Sequence, residues 1–338
     1  FLFEVGIPIN CVAAVGSDPT LFVVGGGGGP SRSGVANKIL INRIDSSTQS
    51  VTTVATYSFE PLEDAPTSIA AHPSRPVIAC GANNNNDIVK AGDNRSARIL
   101  EYSLNQDPPQ LELIHSRSVM DSRTMNDYQK VTVFSPKGDH ILTGGSEGSI
   151  NLLAYPSLDP VFPTLKSESG EIMSADFSQS GGQFAIVTPK DVSVFSTRTG
   201  KGVQHIECPV YKNKSECRFR SCLYGRGPTE HFFYTIVNTL NRDRSLIAKW
   251  NTNTWETESF RSVSRFPIIA VAMHPSGNYL AVATTENAVY VLDAHSFQTM
   301  AKSADVHGFA ITSLAFTSDG AHLVTGSIDT NCCIIPIP

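Results

Sequence analysis

The sequence predicts an all-β ring of seven four-stranded blades, a β-propeller closed by its own N-terminal strand. Three observations predict it. Short apolar runs alternate with period 2 and stop at Gly, Asp or Pro turns, the pattern of half-buried antiparallel strands. A unit of such strands recurs seven times along the 338 residues. A lone strand, Phe1–Val5, precedes the first unit, whereas the last unit shows only three strands before the chain stops.

The elements follow in order. "FLFEV" (1–5) supplies the fourth, outer strand of the last blade, which removes the two free edges that an open array would leave. "INCVAAVGSDPTLFVVGGGG" (9–28) opens the first unit, and "PTSIAAHPSRPVIACGA" (66–82) the second. "KVTVFSPKGDHILTGGSEGSINLLAYPSL" (130–158), "IMSADFSQSGGQFAIVTPKDVSVFSTRTGKGV" (172–203) and "FRSCLYGRGPTEHFFYTIVN" (219–238) are the third to fifth. "IIAVAMHPSGNYLAVATTENAVYVLDAHSFQTM" (268–300) is the sixth, and the seventh, "HGFAITSLAFTSDGAHLVTGSIDTNCCIIPI" (307–337), is the clearest copy. Their hairpin turns fall near Pro19, Pro73, Pro136, Gly181, Pro228, Pro275 and Asp319, about 44 to 63 residues apart. That spacing is in or above the ~40 to 45 residues of a WD-type blade. "HGFAITSLAF…GSID" resembles the WD-repeat signature, although the Trp-Asp dipeptide is absent and Trp250-Asn251 comes nearest. The whole chain, 1–338, is thus expected to be one diverged WD-type propeller with two insertions, 25–38 in the first blade and 81–98 in the second.

Composition excludes several functions. A net charge of −5 with scattered Lys and Arg lacks the basic stripe that nucleic acid requires. Seven cysteines (11, 80, 208, 217, 222, 332 and 333) form an odd set with no CxxC pair, which suits reduced thiols facing the cytosol rather than a disulfide framework or zinc site. No apolar run approaches the ~18 to 20 residues of a membrane span, and "FLFEVGIPIN" has no basic leader. The ending "NCCIIPIP" fits a domain whose anchor lies outside this chain. A monomer is expected.

Most polar residues read as structure. His307, Ser313 and Asp329 look like a hydrolytic triad, but in a WD blade they form a hydrogen-bond network that ties a turn to its strands. His72 and His274, each followed by Pro-Ser, occupy equivalent turns. Trp250 and Trp255 read as packing, and His205 with Cys208, Cys217 and Cys222 is too irregular for a metal. Clustered acids, a metal set or a cofactor motif, which an enzyme would need, are not found. "GANNNNDIVKAGDNRSAR" (81–98) reads as a solvated, mobile loop.

The glycine stretch "VVGGGGGPSRSGVANKI" is not simply polar. Gly29 to Gly34 has the Walker A interval, but Val35 and Ala36 follow it instead of Lys and Ser or Thr. Counting a dinucleotide fingerprint from Gly25, Gly26 or Gly27 puts Pro30, Ser31 or Arg32 where the third glycine belongs. Both motifs also need a helix to follow, whereas "KILINRI" alternates as a strand. Glycines at positive φ let several carbonyls turn towards one point, a geometry that suits a desolvated cation.

With "DAPTSIAAHP" (64–73) some 30 residues later, this stretch resembles the endoplasmic-reticulum-anchored guanine-nucleotide exchange factors that activate the small GTPase initiating the COPII coat, the prolactin regulatory element-binding protein family. The resemblance implies a potassium-binding protrusion on the propeller face that approaches the GTPase nucleotide site. Gly25, Gly26, Gly27, Gly28, Val35 and Asn37 would hold the potassium ion. Gly29, Pro30, Ser31, Asn37, Lys38, Asp64, Pro66 and Thr67 would meet the GTPase, with Asn37 the residue most responsible for exchange and Asp64, Pro66 and Thr67 packed beneath the loop. It implies the cytosolic face of the endoplasmic reticulum and exchange without covalent chemistry. The alternative is a non-catalytic WD-type scaffold that binds a protein or peptide on its face.

Overall fold

The computed structural model describes residues 1–30, 33–212 and 215–337. Seven four-stranded antiparallel sheets form the ring. From the channel outward, blade 1 is Ile9–Ala14, Leu21–Gly26, Lys38–Asp45 and Ser50–Ser58, and blade 2 is Ser68–Ala71, Val77–Gly81, Ala97–Ser103 and Gln110–Arg117. The inner strands of blades 3 to 7 are Gln129–Phe134, Ser174–Phe177, Cys217–Tyr224, Ile268–Met273 and Ile311–Phe316. Each begins within a few residues of a unit read from the sequence.

The ring closes as expected. Leu2–Glu4 pairs with Asn331–Pro336, with Leu2 opposite Cys333 and Glu4 opposite Asn331. Ile334 N–H donates to the Phe1 carbonyl at 2.8 Å and Val5 N–H to the Thr330 carbonyl at 2.9 Å.

Period-2 patterning explains the core. Alternate side chains of a strand leave opposite faces of its blade, so every blade must bury apolar residues on both sides. Each of the seven blade-to-blade seams holds its own apolar layer. The seam that closes the ring places Ile9, Phe22 and Leu40 of blade 1 against Val324, Cys332 and Ile334 of blade 7.

The polar residues singled out by sequence take structural positions, with one change. His307 Nδ1 lies 3.1 Å from Asp329 Oδ2, and its Nε2 lies 2.7 Å from Thr325 Oγ1. Ser313 is not in this network. Its hydroxyl accepts from Val12 N–H at 3.0 Å and links blade 7 to blade 1, because the inner strand turns that side chain towards its neighbour. His72 and His274 each accept N–H groups of their own turns, and a Cβ at Gly138 or Gly320 of the next blade would fall on the imidazole. Trp250 donates to Thr235 Oγ1 at 3.0 Å, and Trp255 meets Phe233 edge-on. All seven cysteines are free thiols.

Candidate functional site

In a propeller, the connections between second and third strands open on the same face as those entering the first strand. The glycine loop joins the second and third strands of blade 1, and 81–98 does the same in blade 2. Residues 59–67 enter blade 2 between them, so the three segments share one face.

The glycine run is divided. Gly25 and Gly26 belong to the strand Leu21–Gly26, paired with Ile39 and Lys38, so the ladder rather than the loop holds them. A Cβ on Gly25 would come 2.8 Å from Pro66 Cγ, which places Pro66 directly against the run. Gly27 and Gly29 have φ of 140° and 78°, in the region that favours glycine. A Cβ on Gly27 would lie 2.6 Å from Asn37 Cα and 2.8 Å from the Ala36 carbonyl oxygen. On Gly28 it would overlap Ser33 Oγ and lie 3.0 Å from the Val35 carbonyl. The returning limb, Val35 to Asn37, thus folds down onto Gly27 and Gly28.

Asn37 fastens this fold. It is 8% exposed. Gly29 N–H donates to its Oδ1 at 3.0 Å, and its Nδ2 donates to the Gly29 carbonyl at 2.9 Å and the Glu63 carbonyl at 2.7 Å. The first two bonds close a ring across the base of the loop, and the third ties it to the segment beneath. Val35 is exposed on the returning limb, and Lys38 opens the outgoing strand. Ser31, a predicted contact residue, lies outside the described residues.

Beneath the loop stand residues that the sequence reading missed. Glu63 and Arg98 form a bidentate ion pair at 2.7 and 3.0 Å, with side chains 9% and 3% exposed. Asn84 Nδ2 and Glu60 N–H also donate to Glu63, and the guanidinium lies over the Phe59 ring at 5.2 Å. Burial works against the Arg98 charge, but the Glu63 carboxylate outweighs it and holds the guanidinium above its ordinary range. Asp64 donates its N–H to the Asn83 carbonyl, and its carboxylate stands beside Gly29. Burial pushes the Asp64 carboxyl up from its usual range, against the lowering effect of Ala65 N–H. Thr67 donates to the Gln129 carbonyl at 2.6 Å and so bridges blades 2 and 3.

Segment 81–98 is the solvated loop expected only in its middle, where residues 86–88, 90–93 and 95 are exposed; its two ends are built into the fold. Asn83, Asn94, Ser96 and Arg98 are buried. Asn94 Nδ2 donates to Asn83 Oδ1 at 2.8 Å, and Asn84 N–H donates to Asn94 Oδ1. Between them lies a short helix, Asn86–Ala91, capped by the Asn85 side chain and by Gly92 at φ 87°. The asparagines form a polar core that braces Glu63 and Asp64.

The same face is rimmed with exposed apolar side chains. Phe309 (64% exposed) and Ile328 sit on the connections of blade 7, Val35 on blade 1, and Leu62 (48%) and Ile88 on those of blade 2. Phe266 extends the rim to blade 6. Among the described residues no group of three or more His, Cys, Asp or Glu could hold a metal, and no helix is long and apolar enough to cross a membrane.

Comparison with known proteins agrees with this architecture. The family described as WD domain, G-beta repeat matches residues 299–335, the last blade with the strand before it. SEC12-like protein 2 of Arabidopsis thaliana is 25% identical over 306 residues, covering 88% of this chain and 72% of the relative. Guanine nucleotide-exchange factor SEC12 of Candida glabrata is 26% identical over 350 residues, covering all of this chain and 72% of its own. The Rattus norvegicus protein of that name is 22% identical over 248 residues, covering 68% of this chain and 59% of its own. Seven blades closed by the N-terminal strand, the WD match in the last blade and these repeated similarities make the chain a WD-type β-propeller homologous to the SEC12 guanine nucleotide-exchange factors.

Proposed function

We propose that this propeller promotes GDP release from the small GTPase that starts the COPII coat, with the glycine loop of blade 1 as the acting element. One observation carries the reading: on a chain similar to exchange factors, Asn37 ties the base of a glycine loop to Glu63, itself paired with Arg98, on the face that bears the exposed apolar side chains.

The mechanism is displacement. A GTPase binds GDP tightly, so an exchange factor must prefer the nucleotide-free form; each ~1.4 kcal/mol of preference weakens nucleotide binding tenfold. The rim, with Leu62, Phe309 and Ile328, supplies contact area, while the loop, through Gly29 and Val35, reaches the nucleotide site. Asn37 acts from below: with its amide engaged within the loop, it orients the tip. Lys38 follows it at the base of the loop. Asp64 and Pro66 support the near limb, and Thr67 fixes that support to blade 3. Excess GTP ends the cycle by dissociating the nucleotide-free complex.

A potassium ion suits this loop. The glycines bring the returning limb close, so that the Ala36 and Val35 carbonyl oxygens and Asn37 Oδ1 lie beside Gly27 and Gly28, and oxygen donors are what a hard cation needs. The carbonyls of Gly27, Gly28 and Val35 with Asn37 Oδ1 would hold the ion, and Asp64 stands close by. Bound there, it would neutralise the inward carbonyl dipoles and reduce the entropy a free glycine run loses on docking. Location at the cytosolic face of the endoplasmic reticulum belongs to the same proposal.

The test is release of a fluorescent GDP analogue from the coat GTPase after adding the propeller or its Asn37→Ala variant. Acceleration that falls at least tenfold in a folded variant supports the reading. Binding without acceleration would leave a scaffold.

A further inference from the structure

The innermost strands share an irregularity unrelated to the glycine loop. In five blades one extra residue bulges the first strand against the second, at Asn10, Lys130, Arg220, Ile269 and Thr312. A bulge re-aims the side chain it carries. Asn10, Lys130, Arg220 and Thr312 line the central channel, in a cavity of about 550 Å³. That volume falls within the ~300 to 1,000 Å³ of small-ligand pockets. Most of these bulges lie at the beginnings of their strands, next to the connections that enter the blades. The channel mouth they surround therefore opens on the face that carries the glycine loop.

Two of the four channel residues are cations, and their situations differ. Lys130 donates to Glu171 Oε2 at 2.8 Å and lies 3.4 Å from Met173 Sδ, so its charge is matched. Arg220 has neither a hydrogen bond nor an ion pair among the described residues. Arg218, Glu171 and Tyr128 are the charged and titratable groups that influence it. Arg218 is exposed to solvent, which screens it, and Glu171 is engaged by Lys130. Burial and Arg218 hold the Arg220 guanidinium below its ordinary range. Arg220 is partly exposed on the channel wall, and with Glu171 taken by Lys130 its guanidinium faces the cavity without a carboxylate partner, so an anion entering the channel can pair with it.

We propose that the channel mouth receives one carboxylate carried on a peptide, an Asp or Glu side chain entering from the loop face, which Arg220 binds through its two-pronged fork. The planar guanidinium matches a carboxylate edge with two parallel N–H···O bonds. With Lys130 and Glu171 cancelling, one inner positive charge remains, which balances a monoanion and not a phosphate dianion. Val133 and Met173, partly exposed on the channel wall, offer apolar contact to the peptide around the acid.

The experiment follows the Arg220 Nε–Hε resonance in ¹⁵N-labelled protein, assigned by its loss in Arg220→Gln. The probes are acetyl-Gly-Glu-Gly-amide, its Gln counterpart, acetate and inorganic phosphate at matched ionic strength. We expect a saturable shift with the Glu peptide, none with the Gln peptide, and at least tenfold weaker responses to acetate and phosphate. Arg220→Lys keeps the charge without the fork and should weaken Glu-peptide binding, read for this variant by calorimetric titration beside the unaltered protein, tenfold or more. It also provides the assignment should Arg220→Gln not fold. Absence of a shift, or an equal shift with the Gln peptide, overturns the proposal. Acetate saturating as readily as the peptide would replace it with a free-carboxylate site, and phosphate saturating first would replace it with a phosphate site.

Discussion

Replacing Arg98 with Met should damage the glycine loop from a distance. Met keeps much of the Arg stem, so packing over Phe59 survives while the charge is lost. Glu63 is then a carboxylate 9% exposed without its cation, retaining only the Asn84 and Glu60 donors. Removing one partner of a buried pair costs about 3–5 kcal/mol, and the two surviving donors place this case near 3. Urea unfolding of Arg98→Met, Glu63→Gln and the double variant measures the cost and the coupling. Because the penalty comes from a stranded charge, the double variant should recover at least half of what Arg98→Met loses. The Glu63 carbonyl that anchors Asn37 sits on the same residue, so the Gly29 amide, which donates to Asn37, should exchange its hydrogen faster. A loss below about 1 kcal/mol, typical of an exposed pair, or additive losses in the double variant, would refute the account of this support.

Other consequences can be checked separately. Deleting residues 1–6 opens the ring and withdraws Phe1, Phe3 and Val5 from the closing seam, which should cost on the order of 3 kcal/mol in urea unfolding. Burial holds the His307 imidazole below its ordinary range, although Asp329 opposes this. Folding therefore favours the neutral ring. Stability should be complete above the unfolded value of about 6.5 and fall as pH drops from there through the folded value. His307→Gln should flatten that acid arm in urea midpoints measured against pH. Exchanging potassium for sodium at constant ionic strength should slow GDP release by the propeller, and an unchanged rate would remove the ion from the mechanism.

The ring and its closure were legible because propeller strands advertise themselves: alternation, Gly/Asp turns and a repeated unit survive even where the Trp-Asp pair is lost. The glycine loop was legible as a feature, and its failure to match phosphate motifs was visible in the residues after Gly34. Its support was not. Glu63 and Arg98 are 35 residues apart with no local pattern linking them, and only the fold of the entering segment over the third strand of blade 2 joins them. The asparagine-rich segment looked solvated because composition does not reveal that asparagines bond to one another. A closer signal was present: Asn85 before an acidic first turn and Gly92 after Lys90 are helix caps. Arg220 was hidden in a strand, since a bulge that turns a side chain into the channel leaves no mark on apolar periodicity.

The most direct test of the exchange reading compares the affinity of this propeller for the coat GTPase without nucleotide and with GDP bound. Linkage requires that whatever factor the propeller takes from GDP affinity, GDP takes from propeller affinity. The account predicts much tighter binding to the nucleotide-free form, by a factor of a hundred or more, corresponding to about 2.7 kcal/mol. Equal affinity for the two forms would contradict it, because a protein that binds both alike cannot shift the nucleotide equilibrium.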